Sequence, residues 1–245
     1  MFKVQLYIAV MLLLVPALGS AKCIEGDCGN GYGVYLFPEG GKYAGLFANG
    51  EIEGEGTMEY ADGNKYTGFL KGGVPNDQGS MDYASGSKYT GQFVNGECSG
   101  KGTYSFPDGA KYVGEFKKNM FEGKGSYIYP NKSNYEGEFK EGTFAGMGTL
   151  NEDGKVYVGD FKKGKPAGKG TMTYLDKSQE IGEWKDGQFL IKKKIKPPKQ
   201  KKDASSKEEG LIAEESQFSQ DFWKAEQEKE EPFSAENEII ERNEN

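Results

Sequence analysis

Three cysteines and a set of spaced lysines and carboxylates are the side chains of this chain that invite a chemical reading. Cys23 and Cys28 bracket a glycine-containing loop. Such a pair can form a disulfide, stay as two free thiols, or supply two ligands to a metal. The chain contains no histidine, and two thiols without an imidazole make a poor zinc site. Cys98 has no evident mate; it is expected in a hairpin loop as a structural or free thiol, or as a link between two chains. Lack of histidine also removes the commonest general base and the usual activator of a nucleophile. Carboxylates are abundant, yet no spacing singles out a pair for glycoside hydrolysis. Phrases such as Gly54-Glu55-Gly56 lack a following Gly-Lys-Ser or Gly-Lys-Thr and no strand-to-helix transition comes after them, so they are not phosphate loops. No enzymatic activity, cofactor, metal or small-molecule substrate is expected.

The charges have a pattern of their own. The chain carries 31 basic and 38 acidic residues, a net charge of −7, and Arg242 is its single arginine. That balance argues against nucleic acid as a partner, because arginine supplies the bidentate contacts to phosphates and bases. Lys42, Lys65, Lys88 and Lys111 recur at a fixed interval, each directly before a tyrosine. On successive hairpins they fall on one face, about 10 Å apart. Farther along, Glu115, Glu138, Asp160 and Glu183 form an acidic counterpart, and Lys192, Lys193, Lys194 and Lys196 open a lysine tract. Exposed lysine clusters are attracted to anionic lipid at about 1 kcal/mol per residue near the surface. The same columns also read as a solvated face laced with cross-strand ion pairs.

What positions these residues is a 23-residue repeat. It starts at Tyr43 and returns at Tyr66, Tyr89, Tyr112, Tyr135 and, after one missing residue, Tyr157 and Glu180. Its third place is always glycine: Gly45, Gly68, Gly91, Gly114, Gly137, Gly159 and Gly182. Period-2 alternation in Lys111-Tyr112-Val113-Gly114-Glu115-Phe116 puts Tyr112, Gly114 and Phe116 on one face and the other three on the opposite face. Gly50, Gly73, Gly96, Gly142, Gly164 and Gly187, with Asn119 as a substitute, fall where positive φ reverses the chain. Asp62-Gly63 and Asp108-Gly109 supply the second reversal, the dipeptide of tight hairpin turns. Each unit is therefore two short antiparallel strands. Glycine inside a strand marks a close approach; Gly45, Gly54 and Gly56 are expected to leave room for aromatic rings of a neighbouring unit. Such a sheet buries an aromatic row without a second layer. Seven units at two strands each, spaced about 4.8 Å, make a ribbon on the order of 65–70 Å long.

The frame Tyr-x-Gly-x-Phe, followed by a turn glycine and a Gly-x-Gly pair, closely resembles the MORN repeat family over roughly residues 29 to 190. The departures are local: Asp77 for the first glycine of a Gly-x-Gly pair, Lys132 for a turn glycine and Glu180 for the leading tyrosine. The resemblance implies an all-β fold, an elongated single-sheet array of about seven antiparallel hairpins with a marginal helix or a charged tail behind it. It implies either a protein-interaction scaffold or peripheral attachment to membranes, and no catalytic domain is expected in the roughly 55 residues behind the repeats.

The ends read differently. Lys3, an apolar stretch over residues 4 to 18 and the small residues up to Ala21 form a secretory signal, residues 1–21, cleaved after Ala21. An uncleaved anchor and lipidation at Cys23 are the alternatives. A partial repeat or cap, 22–42, precedes the array, 43–190, and a Lys-rich linker, 191–202, follows. Residues 203–245 are acidic, and Leu211, Phe218, Phe222 and Ala225 suit an amphipathic helix over 210–229 or lie in a mobile charged tail. Export makes a Cys23–Cys28 disulfide that caps the first sheet edge the favoured pairing. The function expected from all this is a scaffold for a protein partner or for self-association in an exported compartment, with binding to anionic phospholipid as the alternative.

Overall fold

The computed structural model describes residues 21–196. The chain divides into two units, Met1–Pro198 and Lys199–Asn245. The second unit, with the acidic tail and its candidate helix, and the signal segment up to residue 20 lie outside the described residues. The described part is one antiparallel sheet of sixteen strands in strict chain order. They are β1 (Lys22–Gly26), β2 (Gly31–Leu36), β3 (Gly41–Ala48), β4 (Glu51–Tyr60), β5 (Lys65–Lys71), β6 (Val74–Asp82), β7 (Lys88–Val94) and β8 (Glu97–Ser105). Then follow β9 (Lys111–Lys117), β10 (Met120–Ile128), β11 (Asn134–Lys140), β12 (Thr143–Glu152), β13 (Lys155–Lys162), β14 (Lys165–Thr173), β15 (Gln179–Lys185) and β16 (Gln188–Ile195).

Eight hairpins result, against about seven expected. The additional strand is β1, which completes the partial unit. It pairs Lys22 with Leu36 and Cys23 with Tyr35, the same partners that Lys42 and Tyr43 take on the other side of β2. Cys23 thus stands where a full unit has its tyrosine. At the other end the strand runs on through Lys194 and Ile195, so the segment expected to be a linker from residue 191 begins as part of β16.

The first hairpin, β1–β2, turns through residues 27–30; the other seven close with a two-residue turn in which both residues have positive φ, as at Asn95 (50°) and Gly96 (79°). This geometry matches the twist of the flanking strands. The turn's second amide then donates to the previous unit: Gly96 N–H to Pro75 C=O at 2.8 Å, Gly142 N–H to Phe121 C=O at 2.9 Å. Between units the reversal is longer than a two-residue turn, except at Asp153-Gly154, where the unit is one residue short and two positive-φ residues join β12 to β13. Gly63 N–H donates to Tyr60 C=O and Tyr60 N–H to Asn64 C=O, which encloses three residues with Gly63 last.

The Gly-x-Gly pair serves two purposes. Its first member sits on a bulge, where the register slips between Glu122 and Gly125 and Gly123 has φ of 61°. Asp77, which replaces this glycine, adopts the same conformation at φ 60°. Gly54 belongs to this bulge set and borders Leu46, so it does not make room for a ring as expected. The second member lies beneath a tyrosine. A Cβ on Gly125 would meet Tyr112 Cε2 at 2.6 Å, and one on Gly114 would meet Tyr112 Oη at 2.5 Å. The ring therefore covers glycines of its own unit, not of its neighbour as the sequence suggested. This follows from direction: a strand side chain leans along its own strand and across the adjacent one.

Tyr43, Tyr66, Tyr89, Tyr112, Tyr135 and Tyr157 are each at most 1% exposed. Tyr112 stacks on Phe121 of its own unit at 3.7 Å between centroids and meets Phe116 edge-on at 5.1 Å. It also touches Phe139 of the next unit at 4.9 Å. The equivalent link to the following unit joins Tyr66 to Phe93, Tyr89 to Phe116, Tyr135 to Phe161 and Tyr157 to Trp184. Aromatic pairs of this geometry contribute about 0.5–1.5 kcal/mol each beyond area burial. Among the described residues no second layer covers this face; the rings themselves are the core.

Two alanine substitutions separate the two uses of glycine. Gly125→Ala should cost about 2–3 kcal/mol, since the new methyl displaces a buried ring. Gly164→Ala meets no atom within 4 Å and, at φ 79°, should cost only about 1 kcal/mol. Urea denaturation of both variants checks the contrast; equal losses would remove the ring-over-glycine account.

Candidate interaction surface

The tyrosine face has three tiers. At its floor lie the glycines: Gly45, Gly68, Gly91, Gly114, Gly137 and Gly159, each opposite the second glycine of its pair. Over them lie the six rings, whose hydroxyls each donate to a backbone C=O three residues on. Tyr66 reaches Phe69 at 2.8 Å and Tyr135 reaches Glu138 at 2.9 Å. Burial pushes Tyr43 and Tyr157 up to about 12, and pushes Tyr66, Tyr89, Tyr112 and Tyr135 further still. No buried side-chain nitrogen or oxygen among the described residues lacks a hydrogen-bond partner.

The third tier is a stripe of partly buried aromatics: Phe37, Tyr60, Tyr83, Phe106 and Tyr129, each at the start of a three-residue turn. Between Tyr83 and Tyr129 the stripe is continuous. Tyr83 meets Tyr104 at 6.0 Å, Tyr104 meets Phe106 at 4.7 Å, Phe106 meets Tyr127 at 5.8 Å and Tyr127 meets Tyr129 at 4.7 Å. Sequence reasoning passed over this stripe, although its 23-residue period from Phe37 to Tyr129 was there to be read.

The cysteines resolve into two kinds. Cys23 and Cys28 are joined in a disulfide, with Cα atoms 6.0 Å apart. A Cβ at Gly33 would meet Cys28 Sγ at 2.7 Å, so the cystine covers the glycine that a tyrosine covers elsewhere. Cys98 is not in a loop. It lies in β8, 1% exposed, in the column that Phe121 and Phe144 occupy in later units. The smaller side chain leaves space that Tyr83 enters, bringing its hydroxyl 3.9 Å from Cys98 Sγ. Burial pushes this thiol up to about 12.

The lysine column is interleaved with acids. Lys65 pairs with Glu59 at 3.3 Å and Lys88 with Asp82 at 2.9 Å. Lys42 is exposed opposite Glu59, and Lys111 is partly buried between Ser105 and Ile128. Exposed pairs of this type contribute no more than about 1 kcal/mol each. In the acidic column, Glu115 accepts Lys124 N–H at 3.1 Å and Asp160 accepts Lys169 N–H at 3.0 Å. These two carboxylates cap the bulges. Lys194 binds Glu180 at 2.6 Å, and Tyr174 Oη donates to the same carboxylate at 2.7 Å. The Lys194 ammonium holds Glu180 below its ordinary value. Lys192 and Lys193 belong to β16, Lys193 exposed opposite Ile181, and Lys196 is exposed just beyond the strand. Among the described residues no three His, Cys, Asp or Glu side chains gather as metal ligands.

The profile of the MORN repeat matches residues 30–42, 43–65, 89–111, 112–133, 135–154 and 157–179. The chain belongs to the MORN repeat family. The profile passes over the unit from Tyr66 to Lys88, where Asp77 replaces a glycine, yet β5 and β6 of that unit pair like the other MORN hairpins. No curated protein matches the chain. Among solved structures it is similar to the TCP domain of Drosophila melanogaster SAS-4 (dCPAP), solved in complex with a proline-rich motif of Ana2 (dSTIL). Identity is 15%, coverage is 71% of this chain and 97% of that one, and the TM-score is 0.41. A likeness of that size supports no functional inference.

Two solution measurements follow from the buried groups. Rings whose folded pKa exceeds the unfolded value near 10 hold their protons where the unfolded chain releases them, so their contribution to stability is complete below pH 10. The melting temperature should therefore fall steeply from pH 10 to 12, as Tyr43 and Tyr157 approach their folded values. A flat profile there would contradict the buried hydroxyls. In native protein a thiol reagent should find no reactive cysteine, and after denaturation without reductant it should find one, Cys98.

Proposed function

We propose that this MORN-repeat chain is an exported, non-enzymatic scaffold that binds a protein partner, or a second copy of itself, through the tyrosine face of its sheet. The observation that carries this reading is the partly buried aromatic stripe seated on a fully buried tyrosine row. The row fills the floor of the face, and the stripe is what it presents: large aromatic rings, three of them tyrosines, a residue type enriched where protein–protein contacts carry their energy. Among the described residues each end strand is paired on one side only, and such an edge can accept a further strand. The apolar N-terminal run and the early disulfide support an exported compartment, where such a bond persists.

A second reading is peripheral attachment to anionic lipid. Lys193 and Lys196, both exposed at the end of the array, favour it. Against it, Lys42, Lys65 and Lys88 along the repeats alternate with Glu59 and Asp82, and Lys65 and Lys88 are already paired, which lowers the field a membrane would feel.

Flotation with neutral and anionic vesicles at low and high salt separates the two. The scaffold reading expects the chain to stay at the bottom under every condition. Flotation with anionic vesicles alone, reversed by salt and by deleting residues 191–202, would establish the lipid reading, because screening beyond about 10 Å at 0.1 M salt removes that attraction.

A further inference from the structure

The aromatic stripe has a period, and the period selects a ligand. Phe37, Tyr60, Tyr83, Phe106 and Tyr129 follow β2, β4, β6, β8 and β10 or end them, so successive members stand two strands apart. That is about 9.6 Å along the sheet at 4.8 Å per strand. A peptide lying across the strands must bring equivalent faces to equivalent rings at this interval. Polyproline II does so every three residues, about 9.3 Å. An α-helix returns to the same face after seven residues, about 10.5 Å, a misfit three times larger per unit. An extended β-strand presents one face every two residues, about 6.7 Å, so it meets every second ring at best and never two in succession.

Charge on the stripe points the same way. Asp62 follows Tyr60 by two residues and Asp108 follows Phe106 by two, and both are exposed. Each uses Oδ1 to hold its own turn: Asp62 accepts Asn64 N–H at 3.0 Å and Asp108 accepts Ala110 N–H at 2.9 Å. Asp62 Oδ2 additionally takes the Asn64 amide at 2.7 Å. Their charges reach the stripe, since after burial the next influence that raises Tyr60 to about 12 is Asp62, and Asp108 also acts on Tyr127. The corresponding turns of the Tyr83 and Tyr129 units carry Ser85 and Asn131 instead. The two acids are thus four strands apart, about 19 Å, which is six residues of polyproline II.

We propose that the stripe from Tyr60 to Tyr129 is a docking track for a proline-rich segment of a partner protein in the polyproline II conformation, carrying basic residues six positions apart that face Asp62 and Asp108. This deepens the scaffold reading and rests on it. Prolines on two faces of the ligand lie between successive rings, and the third face carries the cations. A preformed polyproline II ligand loses little entropy on binding, which suits a track made of shallow, half-buried rings. Sheet twist turns the track by about 20–25° per strand, so the match holds over a few units and not along the whole array.

The probe is a fluorescently labelled peptide repeating Lys-Pro-Pro-Ala-Pro-Pro-Lys, titrated with the full chain at low salt. Expected are saturable binding, a loss of about tenfold or more when the prolines become glycines, and no binding when the lysines become glutamates. D62N combined with D108N keeps the Oδ1 acceptor of each turn, gives up only the exposed bond from the Asn64 amide to Asp62 Oδ2, and should weaken binding about tenfold while the chain still melts cooperatively. Phe106→Ala should abolish binding; if it unfolds the chain, the paired aspartate variant alone carries the test. Equal affinity for the glycine peptide, indifference to D62N/D108N, or no binding at millimolar peptide would overturn the proposal. If the peptide fails while cross-linking maps a helical peptide or a second copy onto Tyr60–Tyr129, the track is wrong and the scaffold reading stands. If nothing maps there, both fall.

Discussion

A tyrosine ring lying over two glycines is the contact on which this structure depends. A single sheet has no opposite layer to bury its side chains against, and an isolated hairpin is marginal in water. Here the second layer is made from the sheet's own residues. Gly114 and Gly125 lower the floor by the height of a side chain, Tyr112 folds down over them, and its hydroxyl satisfies the carbonyl of Glu115. The ring then presents a flat edge to Phe139 of the next unit. Bulges, turns and acid caps serve this arrangement: they bend each second strand so that the pair of glycines comes beneath the ring.

The terminal units show the same constraint from the other side. An outermost tyrosine would have a neighbour on one flank only. At β1 its place is taken by Cys23, and the disulfide to Cys28 covers Gly33. At β15 its place is taken by Glu180, which exchanges aromatic packing for Lys194 and Tyr174. In β16 no glycine remains at the floor position opposite Gly182, which fits, because no ring has to lie there. One end of the aromatic row is closed by a covalent bond and the other by a charge pair.

Much of this was legible from spacing. The tyrosine and glycine columns, the turn positions and the single-sheet class all follow from a period of 23 residues and from alternation within each strand. Which glycine answers which need was not legible. Gly54 and Gly56 are two residues apart in an identical motif, yet one is held by its φ and the other by the space above it. Only Asp77, tolerated at the first position and absent from the second, hints at the difference. Strand β1 was hidden because it keeps the pairing of a unit and almost none of its residues. Cys98 stands only two residues after the turn glycine Gly96, which suggests a loop; the turn is confined to Asn95 and Gly96, so Cys98 is already in β8. The candidate surface was half visible. The lysine column is plain in the sequence, but its neutralisation by Glu59 and Asp82 depends on register across strands.

The strand order has a kinetic meaning. Because β1 to β16 pair only with their neighbours in the chain, every strand pairing among the described residues joins positions within about one unit of each other. Loop closure therefore costs the same small amount at each step, and the contact order of the array does not grow with its length. Folding can start at any hairpin whose ring finds its glycines and spread in both directions as a zipper does. For a chain emerging end first through a narrow pore, no unit has to wait for a distant partner. Each hairpin docks on the one before it as soon as it arrives.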